Sequence, residues 1–210
     1  MRYSQNNEDE VIKNYFSKQE IENFNLTVLD IGANDGKTLS NSLWCIERGW
    51  NATLVEPSNK CFNKLVELHK DNGKIQCFKV AIGNENGTSE FYESGQHAVE
   101  HYGENHSLLS SLKKYETEKW RDESFTKTEV DVWDFNKLKE FSQRKKYDLI
   151  TIDAEGFDYD ILIQIDLNDV GCQMLIVENN GTEQNKYIEY CETFGLKLHN
   201  KTYQNLIFVK

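Results

Sequence analysis

Five acidic residues stand at or near the ends of short apolar runs, and their positions suit two different chemistries. In "LITIDAEG" Asp153 and Glu155 follow the run Leu149 to Ile152, and in "LIVENN" Glu178 and Asn179 close the run that begins at Gln173. An aliphatic hydroxyl becomes a useful nucleophile only when something takes or lowers its proton, so carboxylates placed like this suit a general base, with Asp153 and Glu155 as the catalytic candidates. They equally suit a hard divalent cation, Mg2+ or Mn2+, held by Asp153, Glu178 and Asn179, which would acidify the hydroxyl. A third reading makes them acids that stabilise the starts of the helices that follow.

The other two acids flank a glycine turn. Asp30 interrupts the apolar stretch of "VLDIGANDG", and Glu56 sits in "LVEPS" at the end of the next apolar run. Gly32 and Gly36 allow the backbone to approach a ligand, and Asn34 tolerates left-handed dihedrals. An anion beside such a turn opposes a pyrophosphate and favours a cationic ligand, such as the sulfonium and amino groups of S-adenosylmethionine (SAM). Glu56 is placed to accept the hydroxyls of a ribose. A NAD-dependent oxidoreductase would want G-x-G-x-x-G, and Asn34 and Lys37 break that pattern. An Asx-type turn with an incidental glycine pair is the plainer alternative.

Three histidines, His97, His101 and His106, could supply a base near neutral pH. His106, next to "SLLSSL", is the one expected to face an acceptor; the flanking Glu100, Gly103 and Glu104 also fit a solvated loop. His69 and His199 have no comparable context and read as surface or packing residues.

Helical and strand periodicities alternate in the segments that must position these groups. Helices are expected at 8–21, 38–48, 60–68, 134–144, 159–165 and 183–194, and strands at 27–31, 52–55, 75–82, 147–152 and 173–177. Apolar strands alternating with helices predict a parallel sheet covered on both faces, the doubly wound α/β class. The runs 196–203 and 205–209 are too close for a crossover helix, so they predict a C-terminal antiparallel hairpin. Residues 88–92 and 127–132 alternate like strands. The stretch between them carries no decodable rhythm and is expected to be a lid or substrate-binding excursion, about residues 94–127.

At 210 residues the chain suits one domain, and no linker or repeat divides it. A net charge of -11, with no basic cluster longer than "RKKY", argues against a nucleic-acid partner. The five cysteines are odd in number and lack a CxxC pair, so they read as reduced core residues. No apolar run is long enough to cross a bilayer, and "MRYSQNNEDEVIKNYF" is too polar for a signal peptide, so the expected location is cytoplasmic. Oligomeric state leaves no mark that can be read.

"YSQNNEDEVI", "VLDIGANDGKT", "VEPS", "VAIGNENGTSEFY", "SLLSSL", "TEVDVWDF" and "LITIDAEGFDYDIL", in that order, resemble the landmarks of FkbM-type SAM-dependent methyltransferases. The resemblance runs to about Asn180, and its most specific parts are "SQNNED" and "IDAEGFDYDIL". It implies a Rossmann-like, seven-stranded mixed sheet of the class I methyltransferases. It also implies that Asp30, Gly32, Asn34 and Gly36 surround the methionine part of SAM, with Ala33 of the same turn counted in the cofactor site. Glu56 would hold the ribose, Val80-Ala81 would lie beside the adenine, and Gln5 would close over the cofactor or else cap the first helix. Such proteins mostly methylate hydroxyls, often on the sugars of glycans or glycosylated metabolites, and the aromatic residues Trp120 and Trp133 could offer a sugar platform. The rival readings are the NAD-dependent oxidoreductase and a SAM- or carbohydrate-binding module without turnover.

Overall fold

Five consecutive buried residues, Thr27–Ile31, form β1, and Asn51–Val55 (β2) and Leu149–Ile152 (β7) flank it in parallel. The structure, a computed structural model, describes residues 3–17, 25–94, 109–118, 124–179 and 183–210. Ile75–Phe78 (β3), Met174–Glu178 (β8), Lys197–Lys201 (β9) and Asn205–Val209 (β10) complete a seven-stranded sheet of order β3-β2-β1-β7-β8-β10-β9. Only β10 runs antiparallel to its neighbours, pairing with β8 on one side and β9 on the other. The doubly wound α/β sheet with its C-terminal hairpin is therefore as expected.

Neighbouring residues of β1 point to opposite layers, as the two-residue period of a strand requires. Leu29 and Ile31 pack with Ile150, Ile152, Leu162 and Val177, whereas Val28 packs with Phe16, Trp50, Leu149 and Ile176. With helices on both faces, such strands read as unbroken apolar runs. Strand order reverses between β1 and β7, the switch point outside whose C-terminal strand ends such sheets bind their ligands.

The helices comprise Glu8–Phe16, Leu43–Glu47, Asn59–His69, Lys114–Thr117, Phe135–Ser142, Asp158–Leu162 and Gln184–Thr193. Ser58 and Asp134 accept the amides of Cys61 and Lys137 and so fix two helix starts. The helix expected at 38–48 is confined to Leu43–Glu47. Asp35 takes the amides of Lys37 and Thr38, and Ser40 takes those of Ser42 and Leu43, so short polar side chains outcompete the helix in the preceding residues.

The strand expected at 75–82 divides in two. Ala81–Ile82 (β4) leaves the main sheet and pairs in parallel with Phe125–Trp133 (β6), which pairs antiparallel with Gly87–Ser94 (β5). These three form a second, small sheet. The expected excursion thus begins and ends in a long hairpin, and Ser111 forms an isolated bridge with Tyr92. None of the five cysteines is in a disulfide. Among the described residues no helix is long and apolar enough to cross a membrane.

Candidate functional site at the strand ends

The end of β1 is locked to its neighbours by backbone contacts. Gly32 and Ala33 both donate to the carbonyl of Val55, at 3.0 Å each, while Asp153 donates its amide to the carbonyl of Ile31 at 2.9 Å. Gly32 adopts φ +87°, and a Cβ there would sit 1.8 Å from the carbonyl oxygen of Asp153. The glycine turn and the catalytic candidate on β7 therefore touch through their main chains. Gly36 also has positive φ, but its neighbours are Leu65, Leu68 and His69 of the helix after β2. Ala33 is buried in the same layer as Leu65.

Each acid of the first pair is held differently. Asp30 is buried and accepts the hydroxyl of buried Ser42 at 2.5 Å. Glu56, also buried, accepts the amide of Ser58 at 2.7 Å on one oxygen and that of Asn34 at 2.9 Å on the other. Asn34 can present that amide because it takes the left-handed conformation, φ 49°. Burial pushes Asp30 up to about 6 against the Ser42 hydrogen bond. Burial likewise pushes Glu56 up to about 7, opposed by its two amide donors and helped by the charges of Glu93 and Asp30. Neither acid has a positive partner among the described residues to favour its ionised form.

The second group gathers on the loop after β7 and the end of β8. One carboxylate oxygen from each of Asp153, Glu155 and Glu178 lies within 4.8 Å of the others. Two of the trio, Asp153 and Glu178, are expected metal ligands and Glu155 joins them; Asn179, the third expected ligand, is buried next to Glu178 and donates its backbone amide to the carbonyl of Gln204. Asp153 opens to solvent, yet its carboxyl is raised above the ordinary carboxylate range by lost hydration and by the charges of Asp158, Asp30, Glu56 and Glu8. At an open cleft mouth water restores part of the hydration, so the crowding of like charge is the more durable cause.

Several participants escaped the sequence reading. Asp158 is buried, accepts the amides of Ala154 and Gly156, and thereby shapes the turn that carries Glu155 at φ 46°. It lies within "IDAEGFDYDIL" and could have been singled out there. Ser111 lies in the "SLLSSL" landmark, but its docking and that of Lys113 gave no signal, because their partners are more than forty residues away. Ser111 donates to the carbonyl of Glu155, and the Lys113 ammonium reaches the carbonyl of Gly156, the carboxylate of Asp160 and the face of Phe157. Ser111 and Lys113 thus dock residues 109–114 on the acid-bearing loop.

The remaining expected residues are placed as follows. Ala81 is buried in β4. Gln5 is exposed, and the segment around it is ordered by its neighbours. Asp9 accepts the hydroxyl of Ser4. Buried Glu8 accepts from Asn6, Asn205 and Thr202. Trp133 is half-buried at the core margin, engaged by Phe78, Phe141 and Lys137. His106, His97, His101 and Trp120 lie outside the described residues. His69 is a buried packing residue and His199 is exposed on β9.

Residues 30–204 match the family described as "Methyltransferase FkbM domain". Among solved structures, the yhhF methyltransferase candidate of Escherichia coli superposes with a TM-score of 0.50 at 12% identity, over 99% of this chain and 87% of that one. Monomeric WbdD superposes with a TM-score of 0.51 at 13% identity, over 97% of this chain and 40% of its own. At such identities the likeness speaks for the fold alone. No curated protein matches the sequence closely enough to count as a relative.

Proposed function

The chain belongs to the FkbM methyltransferase family and is a SAM-dependent methyltransferase, and from that premise we propose that it methylates a hydroxyl of a sugar in a glycan or glycosylated metabolite. The observation that carries this reading is the convergence of the Asp153, Glu155 and Glu178 carboxylates beside the glycine turn.

The residues present fit the donor. Asp30 and Glu56 are buried acids without a positive partner among the described residues, which suits a ligand with a cationic end and a ribose. Asp30 would face the cationic end and Glu56 the ribose hydroxyls, with Gly32 letting the main chain of Asp153 close against the end of β1. When bound, SAM supplies a methyl carbon already activated toward displacement. What this chain must add is alignment and proton removal. Asp153 is the base: its raised affinity for a proton lets it accept one from a hydroxyl near neutral pH, and its backbone is fixed to β1. Glu155 and Glu178 accept further sugar hydroxyls and orient the acceptor.

The three carboxylates also support a second reading, in which they hold Mg2+ or Mn2+. All-oxygen donor sets suit such hard cations, and a bound cation would lower the pKa of the acceptor hydroxyl. The family assignment leaves no place for the NAD-dependent oxidoreductase or for a module without turnover.

The test is methyl transfer from labelled SAM to a panel of glycans and glycosides, with and without EDTA. Asp153→Asn is expected to lower kcat by about 10²–10⁴-fold while S-adenosylhomocysteine still binds. Activity that survives EDTA unchanged removes the metal reading, and Asp153→Asn activity equal to wild type removes Asp153 as the base.

A further inference from the structure

A cavity of about 170 Å³ opens between the loop after β2, the end of β3 and the β5–β6 hairpin, lined in part by Pro57, Asn59, Lys79, Glu93 and Asp131. Glu93 belongs to β5, and its Oε1 is buried with no hydrogen-bond partner among the described residues. A buried carboxylate oxygen left without a donor costs free energy comparable to a lost hydrogen bond, so this oxygen suits a donor that arrives with a ligand. Glu93 is close enough to Glu56 for its charge to act on it.

The sheet order says which part of a ligand comes here. Asp30 stands at the end of β1, Glu56 follows β2, and Lys79 follows β3, and these strands are consecutive neighbours in the order β3-β2-β1. A ligand whose cationic end meets Asp30 and whose ribose meets Glu56 is already directed across the strand ends toward β3, with about 4.8 Å between strands. The group attached to the far side of the ribose, the base, then reaches the cavity beside Pro57 and Lys79.

We propose that Glu93 is the residue that reads the base of the methyl donor, its buried Oε1 accepting the exocyclic amine of adenine. This rests on the donor reading above and deepens it by assigning base selectivity to the hairpin. An adenine amine donates a proton to a carboxylate, whereas a 6-oxo purine would present an acceptor to it and be rejected, as happens when a buried polar group is left opposite the wrong partner.

The full chain is titrated calorimetrically with S-adenosylhomocysteine and with its 6-oxo counterpart, S-inosylhomocysteine. Wild type is expected to bind the adenosyl compound at least tenfold more tightly. Glu93→Gln, nearly the same shape and able to donate, is expected to weaken the adenosyl compound by about tenfold and to strengthen the inosyl one. Glu93→Ala is expected to lose the discrimination, and thermal melts of both variants establish that they fold. Variants that melt like wild type and bind both compounds as wild type does overturn the assignment of Glu93 while leaving the donor reading intact. A wild-type protein that binds neither compound overturns the donor reading itself, and Glu93 with it.

Discussion

Gly32 shows what a single backbone position does at this site. Positive φ alone penalises any side chain, by roughly 1–3 kcal/mol, and Gly195 shares that burden at φ +79° in open space. At Gly32 the added Cβ would also overlap the main-chain carbonyl of Asp153 at 1.8 Å, and neither strand end can give way without breaking the Ile31–Asp153 hydrogen bond. Gly32→Ala is therefore expected to lower the melting temperature well beyond Gly195→Ala and to abolish S-adenosylhomocysteine binding, as read by a melt and a titration. Equal melting temperatures for the two variants would refute the close approach. The acids of this site were legible in the sequence because they interrupt or follow unbroken apolar runs, whose ends mark the ends of buried strands. The neighbours of Gly36 were not, since they belong to a helix some thirty residues away and spacing alone gives no sign of them.

At the scale of elements, most of the main sheet could be read from apolar runs, because strands buried on both faces leave no other pattern. The departures have physical causes. Asp35 and Ser40 shorten a helix by bonding its amides, and β4 is only two residues long, too short to carry a period separate from β3. The docking of residues 109–118 was illegible for a different reason: it depends on long-range contacts of Ser111 and Lys113 with the loop after β7. Those contacts hold the loop whose residue Glu155 sits in a left-handed conformation. Lys113 is thus a positioning residue for the acid cluster. Because its ion pair with Asp160 is partly exposed, Lys113→Met is expected to cost only about 0.5–1 kcal/mol of stability. Its expected functional effect is a kcat reduced about tenfold or more with S-adenosylhomocysteine affinity within twofold, and Lys113→Arg should recover part of it. A variant whose kcat is unchanged would reduce the contact to surface packing.

For the molecule as a whole, the concentration of acids at one end of the sheet sets how stability and ligand binding respond to pH. Asp30 rises from an ordinary 3.8 to about 6 and Glu56 from 4.5 to about 7 in the folded chain. The native state therefore holds more protons than the unfolded state between about pH 4 and pH 7, and stability must fall as pH rises through that window. Below it both states are protonated, and above it both are ionised, so the decline levels off at either side. The donor reverses the preference. A sulfonium cation near Asp30 and ribose hydroxyls donating to Glu56 favour the ionised carboxylates, so binding releases protons and SAM affinity must strengthen as pH rises from 5 to 7.5. S-adenosylhomocysteine has the ribose but no sulfonium, so its affinity should climb less steeply. Melting curves of the free protein across pH 4–8, together with titrations of both compounds, measure the two slopes. Asp30→Asn removes one titrating group, and it should flatten the stability profile and bring the SAM slope down to that of S-adenosylhomocysteine. The general repulsion from a net charge of -11 is screened by salt, whereas buried acids are much less so, and 0.5 M NaCl should leave both slopes largely in place. A SAM affinity that weakens or stays level as pH rises would contradict an anionic seat for the donor at the end of β1.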